Sequence, residues 1–159
     1  NAGVDHAGAD IGQPTSFFVG TALNLTAPDM AREVRLTRKK IENGADFALT
    51  QPVYFTQPLD EFLALYEKSY GKFPLPILAG VLPLASARHA AFLQQEVPGI
   101  TIPQSIHQRM ETAGEDGARE GIRLAVELIG QLKSLAGGVY LMPAFNRFDY
   151  AAEIIEKCK

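Results

Sequence analysis

Five polar residues stand where runs of apolar residues give out: Asn24 after SFFVGTAL, Gln51 after ADFALT, His89 shortly past PILAGVL, and Asn146-Arg147 after VYLM. Their chemistry is that of recognition. An amide both donates and accepts, and a guanidinium grips a carboxylate or phosphate through two parallel hydrogen bonds. Such a set reads as a ligand-binding mouth with amide, cationic and carboxylate groups. No general acid or base stands out among them. A plainer reading of Gln51 stays open beside this one, in which its amide only ties down the following loop. Other chemistries lack their motifs: no glycine-rich phosphate loop follows a strand, and there is no HExxH helix and no nucleophile elbow. His6, His89 and His107 are scattered without metal-ligand spacing.

The elements that must position these residues alternate. Ser16–Leu25 reads as a short buried strand. A helix opens at Pro28-Asp29, with Thr26 as a possible cap, and buries Met30, Val34, Thr37 and Ile41. Glu33 and Lys40, seven apart, share one face, and Arg32, Arg35, Arg38 and Lys39 make the rest of the helix cationic, for which a solvated face is the ordinary account. Gly44 stops that helix, and Asp46–Leu49 runs into a second strand closed by Thr50-Gln51-Pro52. Thr56 and Pro58 open a helix that buries Leu59, Phe62, Leu63, Tyr66 and Tyr70. Pro76–Leu82 is a third strand. Ser86 caps a helix with Ala87, Ala90, Ala91 and Gln94 along one side. Ile100–Pro103 reads as a very short strand, Gln104–Ala113 and Glu115–Leu135 as helices, Val139–Met142 as the last strand and Phe148–Lys159 as a closing helix. Residues 1–15 read as loop. Strand–helix repetition predicts an α/β fold with a parallel sheet and right-handed crossovers. It leaves two closures open, a doubly wound sheet or part of a (β/α)8 barrel. A whole barrel takes about 250 residues, so this chain supplies about half of one.

Composition narrows the partners. The chain has 159 residues, enough for one domain, and its 47% hydrophobic content is enough for a core. A net charge of −3 gives no electrostatic case for nucleic acid or an anionic membrane. The lone Cys158 excludes an intrachain disulfide and a cysteine metal cluster. No apolar run approaches the ~20 residues of a membrane helix, so a cytoplasmic protein is the default expectation.

Three long stretches, KKIENGADFALTQPVYF, PILAGVLPLASARHAAFLQQEVPGITIP and GVYLMPAFNRFDYAAEII, resemble the carboxyl-terminal half of methylenetetrahydrofolate reductase. The resemblance runs from about Ser16 to the end, and is nearest to the reductase portion fused behind a homocysteine methyltransferase in bacterial bifunctional proteins. It implies a TIM barrel that passes a hydride from NAD(P)H to FAD and then to 5,10-methylenetetrahydrofolate, giving 5-methyltetrahydrofolate. It implies that Gln51 binds the folate and that Arg147 contacts the substrate or the nicotinamide donor. His89 falls where some relatives have a substrate-facing glutamine. Glu33, Lys39 and Lys40 match the helix face that contacts FAD. Asn24 and Gly20 fall where relatives place a histidine and a tyrosine on the flavin, which leaves at Gly20 a backbone contact.

The family's catalytic glutamate, by the same resemblance, comes from an early strand that is not in this chain, so no catalytic residue is assigned here. The expected partners are the folate, the N-terminal half of the barrel and further copies in a homo-oligomer, and the chain alone is expected to be inactive. Two other readings stand beside this one: a self-associating binding module that covers its own open edges, and a flavin-free, pterin-linked methyltransferase barrel.

Overall fold

The computed structural model describes residues 2–159. Strand and helix alternate through most of the chain. The elements are β1 (Gly20–Leu23), α1 (Met30–Glu42), β2 (Phe47–Pro52), α2 (Gln57–Tyr70), β3 (Ile77–Val81), α3 (Ala87–Glu96), α4 (Gln104–Ala113), α5 (Gly117–Leu132), β4 (Gly138–Leu141) and α6 (Phe148–Cys158). The four strands are parallel and lie in chain order, β1-β2-β3-β4. A doubly wound sheet reverses its strand order at a switch point, and these four strands contain no such reversal. Successive right-handed crossovers that always step the same way put their helices on one face.

That face is the core. Leu23, Leu25, Ala48, Ile77, Ala79 and Val81 alternate along the strands and pack against Val34 of α1, Leu59, Phe62 and Tyr66 of α2, Ile122, Ala125 and Ile129 of α5, and Ile154 of α6. Complete burial of one such large side chain is worth about 1.5–3 kcal/mol. A second, smaller cluster joins Tyr54 and Leu84, just past β2 and β3, to Ala90 and Leu93 of α3 and Met110 of α4. Gly121 lets α5 close on the chain after β3, because a Cβ there would overlap the Leu84 carbonyl. Among the described residues, no helix is long and apolar enough to cross a membrane.

Local signals explain most boundaries. Gly44 follows α1 with φ +90°, a conformation only glycine adopts freely. Ser86 caps α3 by accepting from His89 N at 3.1 Å. Four expectations need correcting. Ser16–Leu25 is not one buried strand: β1 spans only Gly20–Leu23, and Phe17 and Phe18 ahead of it are 71% and 72% exposed. The cap of α1 is Asp29, whose carboxylate accepts from Arg32 N at 2.8 Å, while the Thr26 hydroxyl donates to the distant Gly99 carbonyl at 2.9 Å. Ile100–Pro103 joins no ladder; Ile102 N donates instead to the Gln94 side chain at 2.7 Å. Tyr70 is 42% exposed, not buried, since it sits in the last turn of α2 with Arg38 over its ring.

Candidate strand-tip site

Among the described residues, the other face of the sheet carries no helix. Along it run Gly20, Ala22 and Asn24 from β1 and its exit, Phe47, Leu49 and Gln51 from β2, Leu78 and Gly80 from β3, and Tyr140 from β4, with Met142 following. The period of two in a strand makes this set the complement of the buried one. Its lower part is apolar, with Phe18 stacked on Phe47 at 5.1 Å. Its upper part, at the carboxyl ends of the strands, holds an amide and a phenol. In open α/β sheets ligands bind at that end.

Gln51 is exposed at the tip of β2, where the ladder is irregular. The register runs Ala48↔Ile77 and Leu49↔Leu78, then resumes at Pro52↔Gly80, so β2 holds one residue more than β3 over this stretch. Bulges of this kind re-aim a side chain and are common beside functional sites. The Thr50 hydroxyl repairs the gap: it accepts from Gly80 N at 3.0 Å and donates to the Gln51 carbonyl at 2.6 Å. Val53 N then donates to Gly80 O at 3.0 Å and the pairing continues.

His89 is buried in the first turn of α3. Its Nδ1 accepts from Ala85 N at 3.2 Å, which puts the proton of the neutral ring on Nε2. Burial pushes its pKa below the ordinary value. Its ring meets Phe145 edge-on at 5.0 Å, so the chain leaving β3 touches the chain leaving β4. Phe145 and Asn146 both have positive φ, 56° and 57°, an uncommon conformation for residues other than glycine, and Phe145 is 71% exposed. Arg147, also exposed, opens α6; its guanidinium takes both Asp149 oxygens, the shortest contact being 2.6 Å, and lies 3.7 Å over the Tyr150 ring. That pairing holds the Arg147 pKa up and the Asp149 pKa down.

The α1 residues lie at the outer edge of β1. Lys40 Nζ donates to the Ala22 carbonyl at 2.7 Å and sits 3.7 Å from Glu33, whose carboxylate accepts from Asn24 N at 3.1 Å. An ion pair thus caps the backbone groups of an edge strand. An ammonium has three donors, and Lys40 gives one to the Ala22 carbonyl while Glu33 pairs with its charge. Lys39 is exposed. The Asn24 side-chain oxygen accepts from Thr26 N at 3.0 Å, a local turn. Gly20 is crowded: a Cβ there would come within 2.5 Å of the Phe47 ring. The structure therefore joins His89 to the loop before Arg147 through Phe145, places Gln51 at the tip of β2, and joins Glu33, Lys40 and the Asn24 backbone at the β1 edge.

Sequence reasoning missed Tyr140, Gly80, Thr50 and Phe145. Tyr140 and Gly80 read as ordinary strand residues, and only the register brings them opposite one another. The pair Phe145-Asn146 carried no turn signal of the glycine kind.

A half-covered sheet of four parallel strands alternating with helices defines a class, the α/β proteins built from repeated strand–helix units. The sequence goes further. The chain matches the sequence model described as methylenetetrahydrofolate reductase over residues 16–159, and it belongs to that family. It is similar to methylenetetrahydrofolate reductase 1 of Schizosaccharomyces pombe, 29% identical over 115 residues, a match covering 70% of this chain and 18% of that protein. The chain thus spans a small part of the curated relative it matches.

Proposed function

We propose that this chain forms half of a (β/α)8 barrel in a methylenetetrahydrofolate reductase, the half whose strand tips hold the folate. Four parallel strands in chain order, helices on one face and an open opposite face are what half of such a barrel has. The observation that carries the proposal is Gln51: an exposed amide, on the open face, at a strand tip whose backbone is held on both sides of it. An amide fixed there can pair with the donor and acceptor edge of a pterin ring. Arg147 would bind an anionic group of the folate or of NAD(P)H by exchanging Asp149 for it, and His89 would support that loop through Phe145.

Reductases of this family use FAD, and the donor set at the β1 edge fits its anionic diphosphate. Lys39 is exposed, Lys40 keeps donors beyond the one it gives to the Ala22 carbonyl, and Asn24 lies at the same edge with its backbone N–H on Glu33. Glu33 would orient Lys40, and at Gly20 only the backbone is left to offer, since Phe47 fills the side-chain space. When bound, the flavin supplies the hydride relay from NAD(P)H to 5,10-methylenetetrahydrofolate. The residues of this chain bind and orient; the proton chemistry is assigned to the rest of the barrel.

The test uses the chain alone and the full-length protein that carries it. NAD(P)H-dependent formation of 5-methyltetrahydrofolate is expected from the full-length protein and not from the 159-residue chain. Full-length protein that binds no flavin and transfers a methyl group instead would overturn the reading in favour of a pterin-linked methyltransferase.

A further inference from the structure

Tyr140 makes a hydrogen bond that skips a strand. It belongs to β4, yet its hydroxyl donates to the carbonyl of Thr50 on β2 at 2.6 Å. The strand between them is β3, and the residue opposite Tyr140 there is Gly80. The phenol passes over Gly80 because that residue has no side chain: a Cβ would lie 2.9 Å from the Tyr140 oxygen and 3.0 Å from Met142. Gly80 has an ordinary φ, so what it provides is space.

This bond falls on one of two peptide planes that flank Gln51. The Thr50 carbonyl is part of the peptide entering Gln51, and Tyr140 holds it from the open face. The Gln51 carbonyl is part of the peptide leaving it, and the Thr50 hydroxyl holds that one at 2.6 Å. Each peptide is planar, so a hold on both planes narrows the φ and ψ open to the residue between them. The bulge at this point frees the Thr50 carbonyl from the regular ladder, which is why a side chain can take it. We propose that Tyr140, passing over Gly80, is a positioning residue that sets the direction in which Gln51 leaves the strand tip, and so its grip on the substrate. This rests on the reading of Gln51 as the folate-binding amide. Burial pushes the Tyr140 phenol up, which keeps it a donor across the ordinary pH range.

The experiment uses the full-length protein that carries this chain. Tyr140→Phe keeps the ring and removes the hydroxyl; it is expected to raise the KM for methylenetetrahydrofolate about threefold to tenfold, the range that one net hydrogen bond spans. Gly80→Ala, which pushes the phenol away, is expected to reproduce the effect. Combined with Gln51→Ala, Tyr140→Phe is expected to change KM less than about twofold, because residues acting through one another are not additive. A fully additive double variant would overturn the proposal, since a Tyr140 that merely supports the sheet loses the same amount in either background. Amide hydrogen exchange over residues 47–55 decides the matter without activity: faster exchange in Tyr140→Phe supports the strap, and an unchanged pattern overturns it. Wild-type protein lacking folate reductase activity would remove the proposed reaction alone, leaving the exchange measurement to judge the strap.

Discussion

The two faces of the sheet use the same four strands for opposite purposes. On the covered face Leu23, Ala48, Ala79 and Val81 are each no more than 1% exposed, pressed against four helices. On the open face Gly20, Ala22, Asn24 and Gln51 are exposed, and the larger residues Leu49, Leu78, Tyr140 and Met142 are half-buried. One residue of shift along a strand moves a side chain from one regime to the other. The covered face is constrained by volume, so its residues report on stability. The open face is free of that constraint at its tips, and residues such as Gln51 and Gly80 are explained by what they let other groups reach.

Three measurements break or sharpen this contrast. Phe62→Ala, at a fully buried position of the covered face, is expected to cost about 3–5 kcal/mol in urea unfolding. A loss below about 1 kcal/mol would mean that the helix layer is loosely packed and the contrast false. His89 lies between the regimes, buried but touching the exposed Phe145. Its folded pKa is below the ordinary 6.5, so the unfolded chain binds the extra proton first. Stability is therefore complete above that value and declines as pH falls from it through the folded pKa. His89→Gln is expected to flatten that part of the pH–stability curve, and an unaltered slope would show that another group causes it. The smallest effect belongs to Gln51→Ala, which is expected to shift stability by less than about 0.5 kcal/mol, as an exposed side chain does. A larger loss would mean that the amide ties down the loop after all.

The edges of the sheet repeat the contrast on a smaller scale. At β1 the outward-facing carbonyl of Ala22 and N–H of Asn24 are taken by Lys40 and Glu33. The helical spacing of seven residues put these two on one face of α1, apart from the basic set Arg32, Arg35, Arg38 and Lys39. The strand beside that face gave them their partners, and α1 is thereby fastened to β1 by charge as well as by Val34.

Local chemistry fixed much of the fold in advance. The apolar stripe Val34 and Thr37, the stop at Gly44 and the cap at Ser86 all act within a few residues, and each appears as the pattern requires. The long stretches around Gln51, Pro83 and Arg147 likewise carried the family, which the comparison over residues 16–159 bears out. Tertiary structure decided what depends on register and on distant partners. The extra residue in β2, the reach of Tyr140 to a carbonyl 90 positions away and the capture of the Thr26 hydroxyl by Gly99 all join residues that share no local pattern. The physical reason is the same in each case: a hydrogen bond is satisfied by whichever group folding brings within about 3 Å, and sequence proximity describes that group only inside a single element.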